Sequence, residues 1–283
     1  MPALSSRRDI ERIAAAALAE DGRVDITSAL TVPPRVQAAG VVEYRSGGVL
    51  SGVPYADEVG RSCGCRIEWT SREGDAVSPG TALGVIRGEL ADILRAERPL
   101  LNLLQRASGI ATATRAYVDA VQGTRSRILH TRKTAPGLRA LDLAAVLAGG
   151  GQAHRTGLSS EVMVKDNHWS ALASSGVGLD SALAEGRRRG ITALYVEVES
   201  LEQLELACAA GATRLLLDNQ SPATVRAWGQ LARERSPGIE IEATGGISLS
   251  NVRSYAEAGA DFISVGALTH SVTAADLAVE VRM

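Results

Sequence analysis

Residues 130–139 read HTRKTAPGLR, which places His130, Arg132, Lys133 and Arg139 within ten positions and no carboxylate among them. A second basic pair, His154-Arg155, follows the run Gly149-Gly150-Gly151, and Lys165-Asp166-Asn167-His168 closes an apolar segment. A guanidinium grips carboxylate or phosphate through two parallel hydrogen bonds, whereas an ammonium acts as a point charge. Cations collected from several loops repel one another unless a multiply charged anion joins them. These clusters therefore fit recognition of a small, acidic molecule; ordinary surface ion pairing accounts for Arg139 and poorly for the rest. Of the 30 basic residues only Lys133 and Lys165 are lysine, the other 28 being arginine. Both lysines lie inside the clusters, as though a compact ammonium were needed there.

Acids follow the cations. Glu197 and Asp218 end successive apolar segments and suit Mg²⁺ or ribose hydroxyls, while Glu199 more simply neighbours a helix start. Thr244-Gly245-Gly246 and Val265-Gly266-Ala267 close the last two such segments, where glycines let backbone N–H groups approach a phosphate. There is no Walker motif. The four histidines (130, 154, 168 and 270) lack zinc spacing, and Cys63-Gly-Cys65 has no second ligand pair, so it reads as loop or strand.

These residues need elements to hold them. From residue 127 onward, apolar strands end at polar residues and helices follow: RILHTRKT, EVMVKDNH, ALYVEVES, TRLLLDNQ, IEIEATGG and DFISVGAL. The stops Glu197, Asp218, Glu242 and Ser264 are 21, 24 and 22 residues apart, the length of one strand–helix unit. Ser200 with Gln203 forms a capping box before a helix that Gly211 ends, and Ser221-Pro222 starts the next. The steady cadence without a GxGxxG turn favours a parallel α/β barrel over a doubly wound sheet, so the polar stops are expected to converge on one mouth. The first hundred residues read as α+β. An N-terminal helix capped by Asp9 precedes short strands, with turns at Gly47-Gly48, Glu73-Gly74-Asp75 and Ser78-Pro79-Gly80. A long helical stretch over residues 89–121 is expected to be divided by Pro99 and Gly109.

Composition narrows the partners. With 283 residues, 45% hydrophobic, the chain can bury a large core, and its net charge of −2 with 3% aromatics disfavours nucleic acid. No apolar run approaches the ~20 residues that cross a bilayer, and three cysteines suit a reducing compartment. A cytoplasmic protein with small-molecule substrates is expected.

The segments TRKTAPGLR, GGGQAHRTGL, VKDNH, VEVES, LLLDN, ATGGIS and SVGALTHS, preceded by EDGRVDITS, GVLSG and AERPLLNLLQRASGIAT, resemble quinolinate phosphoribosyltransferases in content and order across nearly the whole chain. The resemblance implies an N-terminal α/β sandwich over residues 1–108, an incomplete parallel α/β barrel over 109–269, and a tail, 270–283, returning to the sandwich. It implies phosphoribosyl transfer from phosphoribosyl pyrophosphate to quinolinate with decarboxylation, giving nicotinate mononucleotide, pyrophosphate and CO₂ for NAD biosynthesis. Thr131, Arg132, Lys133, His154, Arg155 and Lys165 match the cationic pocket for the pyridine dicarboxylate, and Glu197 and Asp218 match residues near ribose and Mg²⁺. Lys133, Lys165, Glu197 and Asp218 are the implied catalytic set. The turns at Thr244, Gly245, Gly246 and at Val265, Gly266, Ala267 match the phosphate loops. A homodimer or higher even oligomer is implied, with Arg98 reaching the other subunit's site. The chain departs from the family at His130, Leu143, Ala144, Ala153, Ser160 and Thr244, positions that bear on which acid fits. Rival readings are a paralogue acting on another pyridine or aromatic carboxylate, a Schiff-base lyase using Lys165, and a non-catalytic phosphoribosyl-ligand sensor.

Overall fold

A computed structural model describes residues 6–22 and 24–282. Met1–Ser5, part of the segment expected to open the first domain, lie outside them, as do Arg23 and the end of the expected tail, Met283. The chain forms two compact units, one of Met1–Arg115, Lys133–Gly151 and Leu268–Met283, the other of Ala116–Arg132 and Gln152–Ala267.

Helix α1 (Arg7–Glu20) is capped by Ser6, not Asp9: the Ser6 hydroxyl accepts from Asp9 N–H at 3.2 Å, and the Asp9 carboxylate returns to Ser6 N–H at 3.3 Å. Asp9 is thus the third helical residue of a reciprocal box, where it satisfies the donor that the cap itself leaves open. Asp25 caps α2 (Ile26–Thr31). Next come β1 (Gln37–Tyr44), β2 (Gly48–Val49), α3 (Val53–Ser62), β3 (Arg66–Trp69), β4 (Ala76–Val77) and β5 (Thr81–Glu89). The glycine turn between β1 and β2 has φ of 71° at Gly47 and 142° at Gly48, a conformation that excludes side chains.

Helix α4 runs unbroken from Leu90 to Ala120, so neither Pro99 nor Gly109 divides it. An interior proline costs about 3 kcal/mol. Against that, Ile93, Ala96, Leu100, Leu104, Ala107 and Ile110 recur every three or four residues and are all fully buried. Each large member of that stripe contributes about 1.5–3 kcal/mol, which outweighs the proline.

Strand β6 (Arg127–Leu129) and helix α5 (Arg139–Ala148) precede a run of alternating elements: β7 (Val162–Val164), α6 (Asp166–Ser175), α7 (Leu179–Arg188), β8 (Leu194–Val198), α8 (Leu201–Ala209), β9 (Arg214–Asp218), α9 (Pro222–Arg235), β10 (Glu240–Thr244), α10 (Val252–Glu257) and β11 (Phe262–Ser264). Short helix α11 (Ala267–His270) and strand β12 (Leu277–Arg282) close the chain. The first unit is built on an antiparallel sheet ordered β12-β1-β5-β3, so the tail strand is an edge of the N-terminal sheet.

In the second unit six parallel strands are ordered β6-β11-β10-β9-β8-β7. The first strand pairs with the last, and Gln152 adds a parallel bridge to Leu129 on the other side of β6. This all-parallel arrangement is consistent with the incomplete barrel that the family resemblance implies, and the strand–helix cadence points to a barrel over a doubly wound sheet. The caps follow the sequence with one change: Ser221 and Pro222 open α9, and Ser200 caps α8, but the Gln203 side chain accepts from Glu199 N–H (2.8 Å).

Candidate active site

Strand register decides which side chains share the barrel face. Asp218 on β9 is level with Thr244 on β10, and Glu197 on β8 is level with Leu216. Side chains alternate along a strand, so Tyr195 and Glu197, Arg214 and Asp218, and Glu240, Glu242 and Thr244 occupy one face. Their depth differs. Glu197 and Asp218 lie near the C-terminal strand ends, whereas Glu242, two residues short of the end of β10, is 1% exposed.

Glu242 is therefore no mouth residue but the hub of a buried network. Its carboxylate accepts from Ser264 Oγ (2.6 Å), His154 Nε2 (3.0 Å) and Arg214 Nη1 (3.1 Å). Burial alone would push this carboxyl up; the hydrogen bonds from His154 and Ser264, with the charge of Arg214, hold it below its usual range. The Arg214 guanidinium lies 4.6 Å from the Tyr195 ring centroid and 3.8 Å from that of Phe262, and also binds Glu240. The expected convergence of all four polar stops on the mouth thus fails for Glu242 and Ser264, which point at each other in the interior. The spacing of the two acids in Glu-Ile-Glu-Ala-Thr puts them on one face, but only strand pairing, which sets Glu240 level with Arg214, decides that they meet its guanidinium.

The mouth itself carries two ionic features. Lys165, the residue that caps α6, makes an ion pair with Glu197, and Trp169 Nε1 donates to the Glu197 carbonyl at 2.8 Å. Lysine and carboxylate from adjacent strands are thereby fixed against each other. Arg132 and Arg155 form the second feature. Burial first, and then the charge of Arg132, hold the Arg155 guanidinium below its usual value. Arg132 Nε is the one buried side-chain polar atom without a hydrogen-bond partner among the described residues. An unpartnered buried guanidinium N–H beside a second guanidinium is unfavourable unless an anion completes it.

The turn after β10 requires glycine. Gly245 and Gly246 have φ of 81° and 61°, and a Cβ on Gly245 would lie 2.3 Å from Asn219 Oδ1. Asn219, itself at φ 53°, donates its N–H to the Thr244 carbonyl (2.9 Å), so the Asp218 and Thr244 strand ends are tied together. Sequence reasoning passed over Asn219, whose left-handed conformation is one that asparagine tolerates better than most residues. Val265 is buried, its N–H bonded to the Leu129 carbonyl at 3.1 Å, and Gly266 and Ala267 lead into α11.

His154 differs most from its expected place. Its side chain is 6% exposed, with one ring nitrogen on Glu242 and the other accepting from Arg155 N–H at 2.7 Å. Thr131 is half-buried beside Arg132 in sequence. Lys133 belongs to the first unit, where its carbonyl accepts from Thr269 Oγ1 at 2.8 Å. Arg98, on α4 of the same unit, is exposed and lies 3.9 Å from Glu97. Leu143 is buried in α5, and Ala153 and Ser160 are exposed.

No group of three or more metal-ligating side chains occurs among the described residues. The CxC cysteines are buried at the end of α3, and burial pushes the Cys65 thiol up to about 11. No described helix is long and apolar enough to cross a membrane.

Comparison with known proteins places this geometry. Residues 25–108 match the quinolinate phosphoribosyl transferase N-terminal domain, and residues 110–280 match the C-terminal domain of the same family. The chain is 40% identical over 270 residues to the carboxylating nicotinate-nucleotide pyrophosphorylase of Mycobacterium leprae, covering 93% of this chain and 94% of that one. Identity to the chloroplastic enzyme of Arabidopsis thaliana is 37%, covering 96% and 83%. The solved structure of the nicotinate-nucleotide pyrophosphorylase from Francisella tularensis superposes with a TM-score of 0.88 at 30% identity over 98% of both chains.

Proposed function

This chain belongs to the quinolinate phosphoribosyltransferase family, and from that premise we propose that its barrel joins quinolinate to phosphoribosyl pyrophosphate, releasing pyrophosphate and CO₂. The observation that carries the acceptor assignment is the Arg132–Arg155 pair, with its buried and unpartnered Nε. A pyridine bearing two adjacent carboxylates supplies the charges and the forked acceptors that such a pair lacks.

The reaction needs little from the protein beyond placement and charge. The bond from ribose C1 to the pyrophosphate oxygen breaks, leaving an oxocarbenium-like centre, and the pyridine nitrogen forms the new bond to C1. The positive charge of the resulting pyridinium stabilises the electron pair that stays on C2 when the adjacent carboxylate departs as CO₂, and that pair then takes a proton. Arg132 and Arg155 orient the acid; Lys165, held by Glu197, adds positive charge near the reacting centre. The glycine backbone after β10 and β11 receives the 5-phosphate. Fixed dipoles and charges that need no rearrangement are the main source of rate in such a site.

Mg²⁺ fits this donor set as a companion of the pyrophosphate. That ion keeps most of its water and phosphate oxygens and takes one or two carboxylates from protein. Asp218 would hold it, with Glu197 beside it when not engaged by Lys165; the ion would neutralise charge on the leaving pyrophosphate. A homodimer in which exposed Arg98 is presented to a second copy belongs to the same reading.

The test is direct. Purified protein with Mg²⁺, phosphoribosyl pyrophosphate and a panel of pyridine mono- and dicarboxylates is followed for pyrophosphate and for nucleotide product. Nicotinate mononucleotide from quinolinate is expected; product only from another acid would make the chain a paralogue, and binding without turnover would make it a sensor.

A further inference from the structure

The segment that carries Arg155 is held by two imidazoles. Gln152 N–H donates to the Ile128 carbonyl (2.8 Å), anchoring the start of the segment to β6. His154 N–H then donates to His130 Nε2 at 3.0 Å, and Arg155 N–H donates to His154 Nδ1 at 2.7 Å. The backbone donors of both residues in the His-Arg pair are therefore taken by ring nitrogens.

A backbone N–H can only donate, so each accepting ring nitrogen carries no proton. The remaining nitrogens face groups that only accept. His130 Nδ1 lies 3.2 Å from the Thr131 carbonyl, and His154 Nε2 lies 3.0 Å from the Glu242 carboxylate. One assignment satisfies all four contacts: His130 protonated on Nδ1 alone, and His154 on Nε2 alone. Both rings are then neutral and of opposite tautomer. His130 is 1% exposed and the His154 side chain 6%, so water competes little for these bonds. Glu242 in turn is fixed by Ser264 and by Arg214 between its two aromatic rings.

We propose that His130 and His154 are positioning residues: as neutral imidazoles of opposite tautomer they fix the backbone that carries Arg155, and His154 adds no positive charge to the acid pocket. The pocket's charge then rests on its guanidiniums and ammonium, and the aim of Arg155 is set from the barrel interior through Glu242. The kinetic consequence rests on the phosphoribosyl-transfer reading; the tautomers do not.

Two measurements test this. In full-length, ligand-free protein labelled with ¹⁵N-histidine at neutral pH, His130 is expected to show a proton on Nδ1 only and His154 on Nε2 only, with signals assigned by His130→Gln and His154→Gln. A doubly protonated His154 overturns the proposal. In the second measurement, His130→Phe fills the space without an acceptor, while His130→Gln brings a carbonyl oxygen to about the same place. With the His154 N–H left unmet, the Phe variant should raise KM for the acid about tenfold. KM for phosphoribosyl pyrophosphate should stay within about twofold, and Gln should restore most of the loss. An unchanged acid KM in the Phe variant overturns the proposal, as does a parallel rise in both constants or a Gln variant no better than Phe. If the wild-type protein makes no nucleotide, the functional reading fails while the ¹⁵N spectra still decide the tautomers. If His130→Phe does not fold, those spectra decide as well.

Discussion

Arg106 and Asp142 meet in a two-pronged ion pair: Nε and Nη2 each donate to a carboxylate oxygen at 2.8 Å, and the carboxylate is fully buried. Asp142 also accepts from Ala135 N–H (3.1 Å), and Arg106 reaches the Thr269 carbonyl (3.1 Å). One pair thus joins α4, α5, the 133–138 segment and the chain's return to the first unit. Arg106 lies on the same helix, α4, whose buried apolar stripe tolerates Pro99.

Removing one partner of a buried pair strands the other charge. Arg106→Met is expected to cost about 3 kcal/mol in denaturant unfolding. The double variant Arg106→Met/Asp142→Leu should recover a substantial part, because both polar groups leave together. A single variant within about 0.5 kcal/mol of wild type would show that the pair does not stabilise the unit.

Gly109 sits inside a helix, where alanine is ordinarily better by about 1 kcal/mol. A Cβ there would lie 2.2 Å from the Thr273 carbonyl, a backbone atom that cannot turn aside. Gly109→Ala is therefore expected to lower the melting temperature despite its better propensity. A rise in melting temperature would mean that the tail does not cross α4 so closely.

Arg155→Ala removes one fork of the guanidinium pair. The expected loss is 2–4 kcal/mol, about 10²-fold in KM for the acid, with a smaller change in KM for phosphoribosyl pyrophosphate. Arg155→Lys should rescue only partly, since an ammonium cannot make both parallel bonds. Equal effects on both substrates would remove Arg155 from the acid's side of the site.

Asp218→Ala should raise the Mg²⁺ concentration needed for half-maximal turnover and lower maximal turnover, while binding of the acid alone, followed by calorimetry, stays close to wild type. Unchanged Mg²⁺ dependence and turnover would take Asp218 out of pyrophosphate handling.

The Glu242 network implies a sign for the dependence of stability on pH. Its carboxyl is held below the ordinary 4.5, so the folded state favours the ionised form more than the unfolded chain does. That contribution is complete above the unfolded value and is lost as pH falls through the folded one. The stability gap between wild type and Glu242→Gln should be widest at neutral pH and narrow below about pH 4.5. A constant gap from pH 7 to pH 3 would mean that the carboxylate gains nothing from its partners.

How much of this was legible in the chain depends on whether the deciding interaction is local. Strand–helix alternation from residue 127, the caps at Ser200 and Ser221, and the left-handed glycine turns were readable because period, capping and φ are set by neighbours within a few residues. The cationic clusters and the two lysines are visible in the sequence only as local groupings of charge. Pro99 in mid-helix was not readable, because the stripe that overrides it earns its energy from distant side chains. The roles of Glu242 and His154 were not either. Whether an acid at a strand end meets solvent or an arginine is fixed by register between strands, and whether an imidazole is a cation or a neutral prop is fixed by what its two nitrogens touch. The order of residues supplied the charges; only the folded chain determined which face the substrate and which hold the frame, since burial and hydrogen-bond direction arise between segments far apart in sequence.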